Sequence, residues 1–192
     1  LEDELSHGRL DLIICFQPIM LEDVRTVPLT EQRLMMVVPR NFTDQHFGER
    51  AEAVRAQFAQ GADIDEFQQM PFVLIKRGNR TRSIVDQYFS RYYFKPKLIL
   101  ETENTVTTLA MASAGVGITI CPELFLRAIP TASAATKGVD LFPLTDPSTF
   151  SQLVAGYRAD RYLSHFGERF IVMAREALQN ACGAEGSVPA PV

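Results

Sequence analysis

The chain has 192 residues, 46% hydrophobic and 22% charged, an ordinary balance for a globular protein long enough for one or two cored domains. Its net charge of −4 argues against a broad nucleic-acid surface, and no apolar run approaches the roughly 20 residues of a membrane-spanning helix. Three cysteines, at 15, 121 and 182, and three scattered histidines give neither a disulfide framework nor zinc-site spacing, which points to reduced thiols in a cytoplasmic protein.

The chain starts at Leu1 without a methionine or a signal-peptide pattern, so it reads as a fragment or a processed form. Residues 1–7 read as the tail of a helix closed by Gly8. Residues 10–16, LDLIICF, are a nearly continuous apolar run, the pattern of a buried parallel strand, ended by Gln17 and Pro18. Residues 24–29 suit an edge strand, and residues 34–38, LMMVV, a second buried strand stopped by Pro39. The polar stretch 40–70 holds Phe47, Ala51, Val54 and Phe58 at helical spacing. One amphipathic helix is expected there, with Gly61 as its C′ residue, followed by a helical turn at 65–69.

Pro71 opens a strand, PFVLI, at 71–75. A basic turn, KRGNRTR, leads into an amphipathic helix marked by Ile84, Val85, Tyr88, Phe89 and Tyr92. A short apolar run, KLIL, at 97–100 suits another strand. The next stretch, ETENTVTTLAMASAGVGITICPE, is the most informative in the chain. Val106, Leu109, Ala110 and Ala114 recur at helical spacing, with Asn104 as N-cap and Gly115 as C′ residue. Residues 116–121 then read as a buried strand that Pro122 stops, which completes a βαβ unit. A short helix at 123–128, a polar surface loop at 131–137, strands at 139–144 and 153–158, and a helical stripe of Leu163, Phe166, Phe170, Ala174 and Leu178 follow. Residues 183–192 are poor in large apolar side chains and are expected to be disordered.

Several residues admit two readings. Lys76, Arg77, Arg80 and Arg82 follow a strand end, a frequent ligand position, and suit an anion site or a solvated turn with dimer-facing arginines. They do not form a P-loop, because the GK[ST] ending is absent. Asn104 and Thr105 suit a helix cap or contacts to a small anion at a helix start. Cys15 and Cys121, at strand ends, suit inert packing more than redox sensing. Met35 and Met36 suit the core, and His165 an exposed helix start. No catalytic set stands out: GxSxG, HExxH and a nucleophile with a base partner are all missing. No metal site or cofactor is expected.

GRLDLIIC, LTEQRLMMVVPRNF, MPFVLIKRGNRTRSIVDQYF, ETENTVTTLAMASAGVGITICPELF and LVAGYRADRYLSHFGERFI occur in this order. The set resembles the effector-binding domain of LysR-type transcriptional regulators over roughly residues 5–177. The resemblance implies an α/β, periplasmic-binding-protein-like fold: two Rossmann-like subdomains joined by two crossover strands, with the effector in the cleft between the lobes. Subdomain I would comprise residues 1–40 and 150–181, and subdomain II residues 41–149. Relative to the family, the DNA-binding domain and the first strand and helix of subdomain I are absent, and the segment 43–60 is longer than usual.

The expected function is therefore effector sensing, not catalysis, in a cytoplasmic bacterial regulator that reaches DNA only through a domain outside this sequence. The expected ligand is a small anionic metabolite carrying a carboxylate. Cys15, Phe16 and Gln17 are its candidate contacts in the first lobe; Lys76, Arg77, Asn79, Asn104 and Thr105 are those in the second. A homodimer or higher oligomer is expected, with the helix at 81–93 as an interface element. A free-standing solute-binding protein and an enzyme on the same fold are the alternatives.

Overall fold

The computed structural model describes residues 1–128 and 138–182. The surface loop expected at 131–137 and the disordered tail expected at 183–192 lie outside the described residues. In chain order the elements are α1 (Glu2–Ser6), β1 (Leu12–Phe16), β2 (Val24–Pro39), α2 (Arg40–Phe47), α3 (Ala51–Phe58), β3 (Pro71–Ile75) and α4 (Arg80–Arg91). There follow β4 (Lys97–Thr102), α5 (Thr105–Ser113), β5 (Thr119–Pro122), α6 (Glu123–Ala128), β6 (Val139–Pro143), β7 (Phe150–Arg158) and α7 (His165–Cys182). The chain divides into two compact units: Leu1–Gln32 with the chain from Ser151 onward, and Arg33–Phe150.

In the first unit β1 runs antiparallel to β7, with Leu12 opposite Tyr157 and Phe16 opposite Leu153. This corrects the parallel, fully buried strand expected at 10–16: only Ile13 of β1 is buried. An apolar run records that side chains shun water, not the direction of the neighbouring strand. The helical stripe at the chain's end forms α7, where Ile171 is buried but Phe166 is 85% exposed.

β2 is a single 16-residue strand in place of the two expected. Its polar middle, TEQR, stays extended because backbone bonding to neighbouring strands, not side-chain polarity, sustains a ladder. The second half of β2 is the core strand of the second unit. Leu34, Met36 and Val38 pack into a cluster with Phe58, Phe67 and Phe142, while Met35 and Val37 face Leu109, Ala112 and Cys121. Alternate side chains point to opposite faces, so LMMVV is apolar throughout because both faces are covered.

β5 and β6 flank β2 antiparallel, Cys121 and Pro143 both pairing with Met35. β3 and β4 run parallel, from Pro71 opposite Lys97 to Ile75 opposite Thr102. Backbone bonds at 2.8 Å, Val73 N–H to Ile118 O and Ile118 N–H to Pro71 O, join β3 to the chain just before β5. The βαβ unit read at 97–121 is therefore present with β3 lying inside its crossover. Gly117 permits that approach: a Cβ there would sit 2.9 Å from the Pro71 carbonyl oxygen.

The single helix expected through Phe47–Phe58 is two helices. Gly48, at φ +54°, ends α2, and a 3-10 turn precedes α3. The apolar spacing still serves the core: Ala51, Val54 and Phe58 are buried, and Phe47 stacks edge-on against Phe58 with ring centroids 6.2 Å apart.

Candidate functional site

The parallel pairing of β3 and β4 brings two loops to one sheet edge. Ile75 and Thr102 are in register, and Lys76 N–H donates to Thr102 O at 2.9 Å. The chain then leaves β3 through Lys76–Asn79 into α4, and leaves β4 through Glu103 and Asn104 into α5. Both helices consequently point N-termini at this edge, the position at which open α/β sheets hold ligands.

Each helix starts on an asparagine cap. Asn79 Oδ1 accepts from Thr81 N–H at 2.8 Å. Asn104 Oδ1 accepts from Thr107 N–H at 2.9 Å and from the Thr107 hydroxyl at 3.0 Å. The Thr102 hydroxyl donates to Asn104 O at 3.1 Å and fixes the turn. Thr108 N–H reaches Asn104 O, which leaves the N–H groups of Thr105 and Val106 without an intrahelical acceptor. Among the described residues the Thr105 hydroxyl makes no hydrogen bond. Cap oxygens are thus spent on the backbone, while amide groups and one hydroxyl are available to a ligand.

The charges here are more constrained than a basic turn suggests. Lys76 pairs with Glu103 across the two loops. Arg77 is 82% exposed, with Asp86 at 3.9 Å as its salt-bridge partner. Arg82 is the surprise: its side chain is only 4% exposed, and it is neither a solvated nor a dimer-facing arginine. Its Nε donates to Asp86 at 2.7 Å, and its Nη1 donates to the Ile75 carbonyl at 2.9 Å and to Glu101. Of these contacts, the i,i+4 spacing of Arg82 and Asp86 is the one signal in the sequence that announces them.

The remaining candidates belong to the first unit. Cys15 and Phe16 end β1, opposite Val154 and Leu153, and Gln17 N–H donates to Gln152 O at 3.0 Å. All three are half-buried. The eight candidate residues therefore form two groups, one in each unit. Cys121 packs in the core, where burial pushes its thiol up to about 12 and keeps it protonated. Among the described residues, no group of three His, Cys, Asp or Glu side chains is arranged to hold a metal ion. No described helix is long and apolar enough to cross a membrane.

The sequence matches the LysR substrate binding domain over residues 1–179. The chain belongs to that family. An uncharacterized HTH-type transcriptional regulator of Bacillus subtilis, YcgK, is 24% identical over 186 residues, covering 93% of this chain and 55% of that protein. The LysR domain described here thus spans about half the length of that relative. The effector-binding domain of QuiR in complex with shikimate superposes at a TM-score of 0.64 with 19% identity, covering 91% of this chain and 75% of that one. The Synechocystis PCC6803 CcmR regulatory domain in complex with 2-PG gives 0.67 with 17% identity, covering 93% and 78%. These likenesses establish the periplasmic-binding-protein-like fold of LysR effector domains.

Proposed function

We propose that this domain senses a small anionic metabolite, most simply a carboxylate, for a LysR-type transcriptional regulator in the cytoplasm, and that it performs no catalysis. The observation that carries the reading is the pair of helix N-termini at the β3–β4 edge, with the Thr105 hydroxyl unengaged. Amide groups at two helix starts favour negative charge. Lys76, Arg77, Asn79, Asn104 and Thr105 are the proposed contacts in this unit, and Cys15, Phe16 and Gln17 those in the other. The complexes of two similar domains with shikimate and with 2-PG support a small-molecule ligand.

Ligand binding shifts the protein between conformations only by its differential affinity for them, and a DNA-binding segment of the whole protein would read the shift. The whole regulator binds DNA and pairs with a second copy; exposed Arg91, Tyr92 and Tyr93 at the end of α4 suit a protein contact. The 192-residue chain alone, at net charge −4, is expected to give no sequence-specific mobility shift at moderate salt.

The deciding experiment is a thermal-shift screen of carboxylates, amino acids, phosphates, and neutral and cationic metabolites. Stabilising hits confined to neutral or cationic compounds would remove the anion assignment. Calorimetry on Asn104→Ala and Thr105→Ala then tests the placement, and affinity unchanged in both sinks it.

A further inference from the structure

We infer that Arg82 is a positioning residue that sets the placement of the two loops at the β3–β4 edge, and through them the anion site; this inference rests on the proposed function. The location is unfavourable for an arginine in two respects. Arg82 is the third residue of α4, after Arg80 at the first, so two cations sit in the first turn, next to the helix's own positive end. Its guanidinium is also buried, which is costly unless its donors find well-placed acceptors. An aliphatic residue would avoid both penalties, and Val85 and Phe89 of the same helix already pack it onto the sheet.

What an aliphatic residue lacks is a way to join three elements at defined distances. Arg82 reaches Asp86 in its own helix, the carbonyl of Ile75, the last residue of β3, and Glu101, the residue of β4 opposite Leu74. Lys76 begins one loop directly after Ile75, and Glu103 begins the other two residues after Glu101. One side chain thus ties the first turn of α4 to the roots of both loops. It orients the amide groups of α4 relative to those of α5.

Charge adds a second consequence. Asp86 and Glu101 are about two-fifths exposed and share this one guanidinium on their buried side, Asp86 having the exposed Arg77 as a second partner. Without it, two carboxylates beneath the loops would oppose an incoming anion. Geometry and charge are separable by substitution. Arg82→Lys keeps the charge but loses the fork of donors. Arg82→Met loses both, and the triple variant Arg82→Met, Asp86→Asn, Glu101→Gln removes the two negative charges without restoring the tie.

The test is an NMR titration of the 192-residue chain with inorganic phosphate, alongside amide hydrogen exchange. In the wild type, phosphate should move the amide signals of residues 76–79 and 104–106. In folded Arg82→Lys its dissociation constant should rise by about tenfold, the size expected from misplacing a charge-assisted hydrogen bond. The triple variant should stay as weak. Exchange at Lys76 and Thr81 should accelerate while Val73, in the middle of β3, keeps its protection. Unchanged phosphate affinity with unchanged exchange in Arg82→Lys overturns the inference, as does recovery of affinity in the triple variant, which would make Arg82 a charge mask only. Acceleration spread evenly over β3 would show a purely structural role and also overturns it. If phosphate moves neither loop in the wild type, the anion reading fails, and the exchange pattern alone decides whether Arg82 positions the loops.

Discussion

α4 and α5 each follow a strand of the same parallel pair, and each opens on an asparagine whose Oδ1 accepts a backbone N–H, at 2.8 Å for Asn79 and 2.9 Å for Asn104. Beyond the cap they diverge. The first turn of α4 reads RTR and is held by Arg82, a buried cation between two carboxylates and a strand-end carbonyl. The first turn of α5 reads TVT, carries no charge and is held by hydroxyls: Thr108 donates to Thr105 O at 2.8 Å and Thr102 to Asn104 O at 3.1 Å. The two solutions differ in cost. The α5 start leaves the helix dipole uncountered and ready for an anion. The α4 start spends cations against that dipole and recovers the loss through pairing with Asp86 one turn on and with Glu101 in β4.

The comparison breaks most severely at Arg82. Arg82→Met should destabilise the protein by about 2–3 kcal/mol, because it leaves the buried Ile75 carbonyl and the half-exposed Glu101 without this donor and Asp86 with only the exposed Arg77. Urea unfolding followed by circular dichroism measures this, and a loss below about 1 kcal/mol would mean that the ion cluster contributes little to α4. The α5 start is sharpened by Thr105→Ala. Since Asn104 is the cap, melting temperature should hardly move. Affinity for a carboxylate hit should fall by about 1 kcal/mol for a neutral hydrogen bond and up to about 3 for a charged one, read by calorimetry.

The caps come next in size. Asn79→Ala and Asn104→Ala should each cost about 1 kcal/mol of stability, with Asn104 the larger because it also holds the Thr107 hydroxyl. A larger loss at Asn79 would reverse that ranking. The smallest effect belongs to the Lys76–Glu103 pair, which is exposed on both sides. Lys76→Ala should change stability by less than about 0.5 kcal/mol, and a cycle with Glu103→Gln at low and high salt checks that the coupling is weak and screened.

Much of the second unit was legible because its signals are local. The strand at 71–75, the helix at 123–128 and the cap at Asn104 each follow from a few adjacent residues: a proline at a strand start, a proline ahead of a helix, an Asx residue before an apolar periodicity. Gly115, at φ +78°, ends α5 where the sequence placed a C′ glycine. The expectations that changed depend on what a segment meets in space. β1 lies antiparallel to β7 because of residues about 140 positions away. TEQR stays in strand because its backbone is paired, and Phe47 and Phe58 share a core from two helices instead of one.

The sequence by itself determined the α/β class, the family, most helix and strand positions, and the Asn104 cap, because periodicity, capping and turn chemistry act within a few residues; the cap at Asn79 came from the structure. Only the tertiary structure decided the role of Arg82. Its partners lie four residues away in Asp86, seven in Ile75 and nineteen in Glu101. A guanidinium in a basic turn looks solvated until the parallel pairing of β3 and β4 brings a carbonyl and a carboxylate within reach of it. Burial of a charge is a property of that assembled environment, since desolvation and ion pairing depend on every group around it, and no single stretch of chain encodes it.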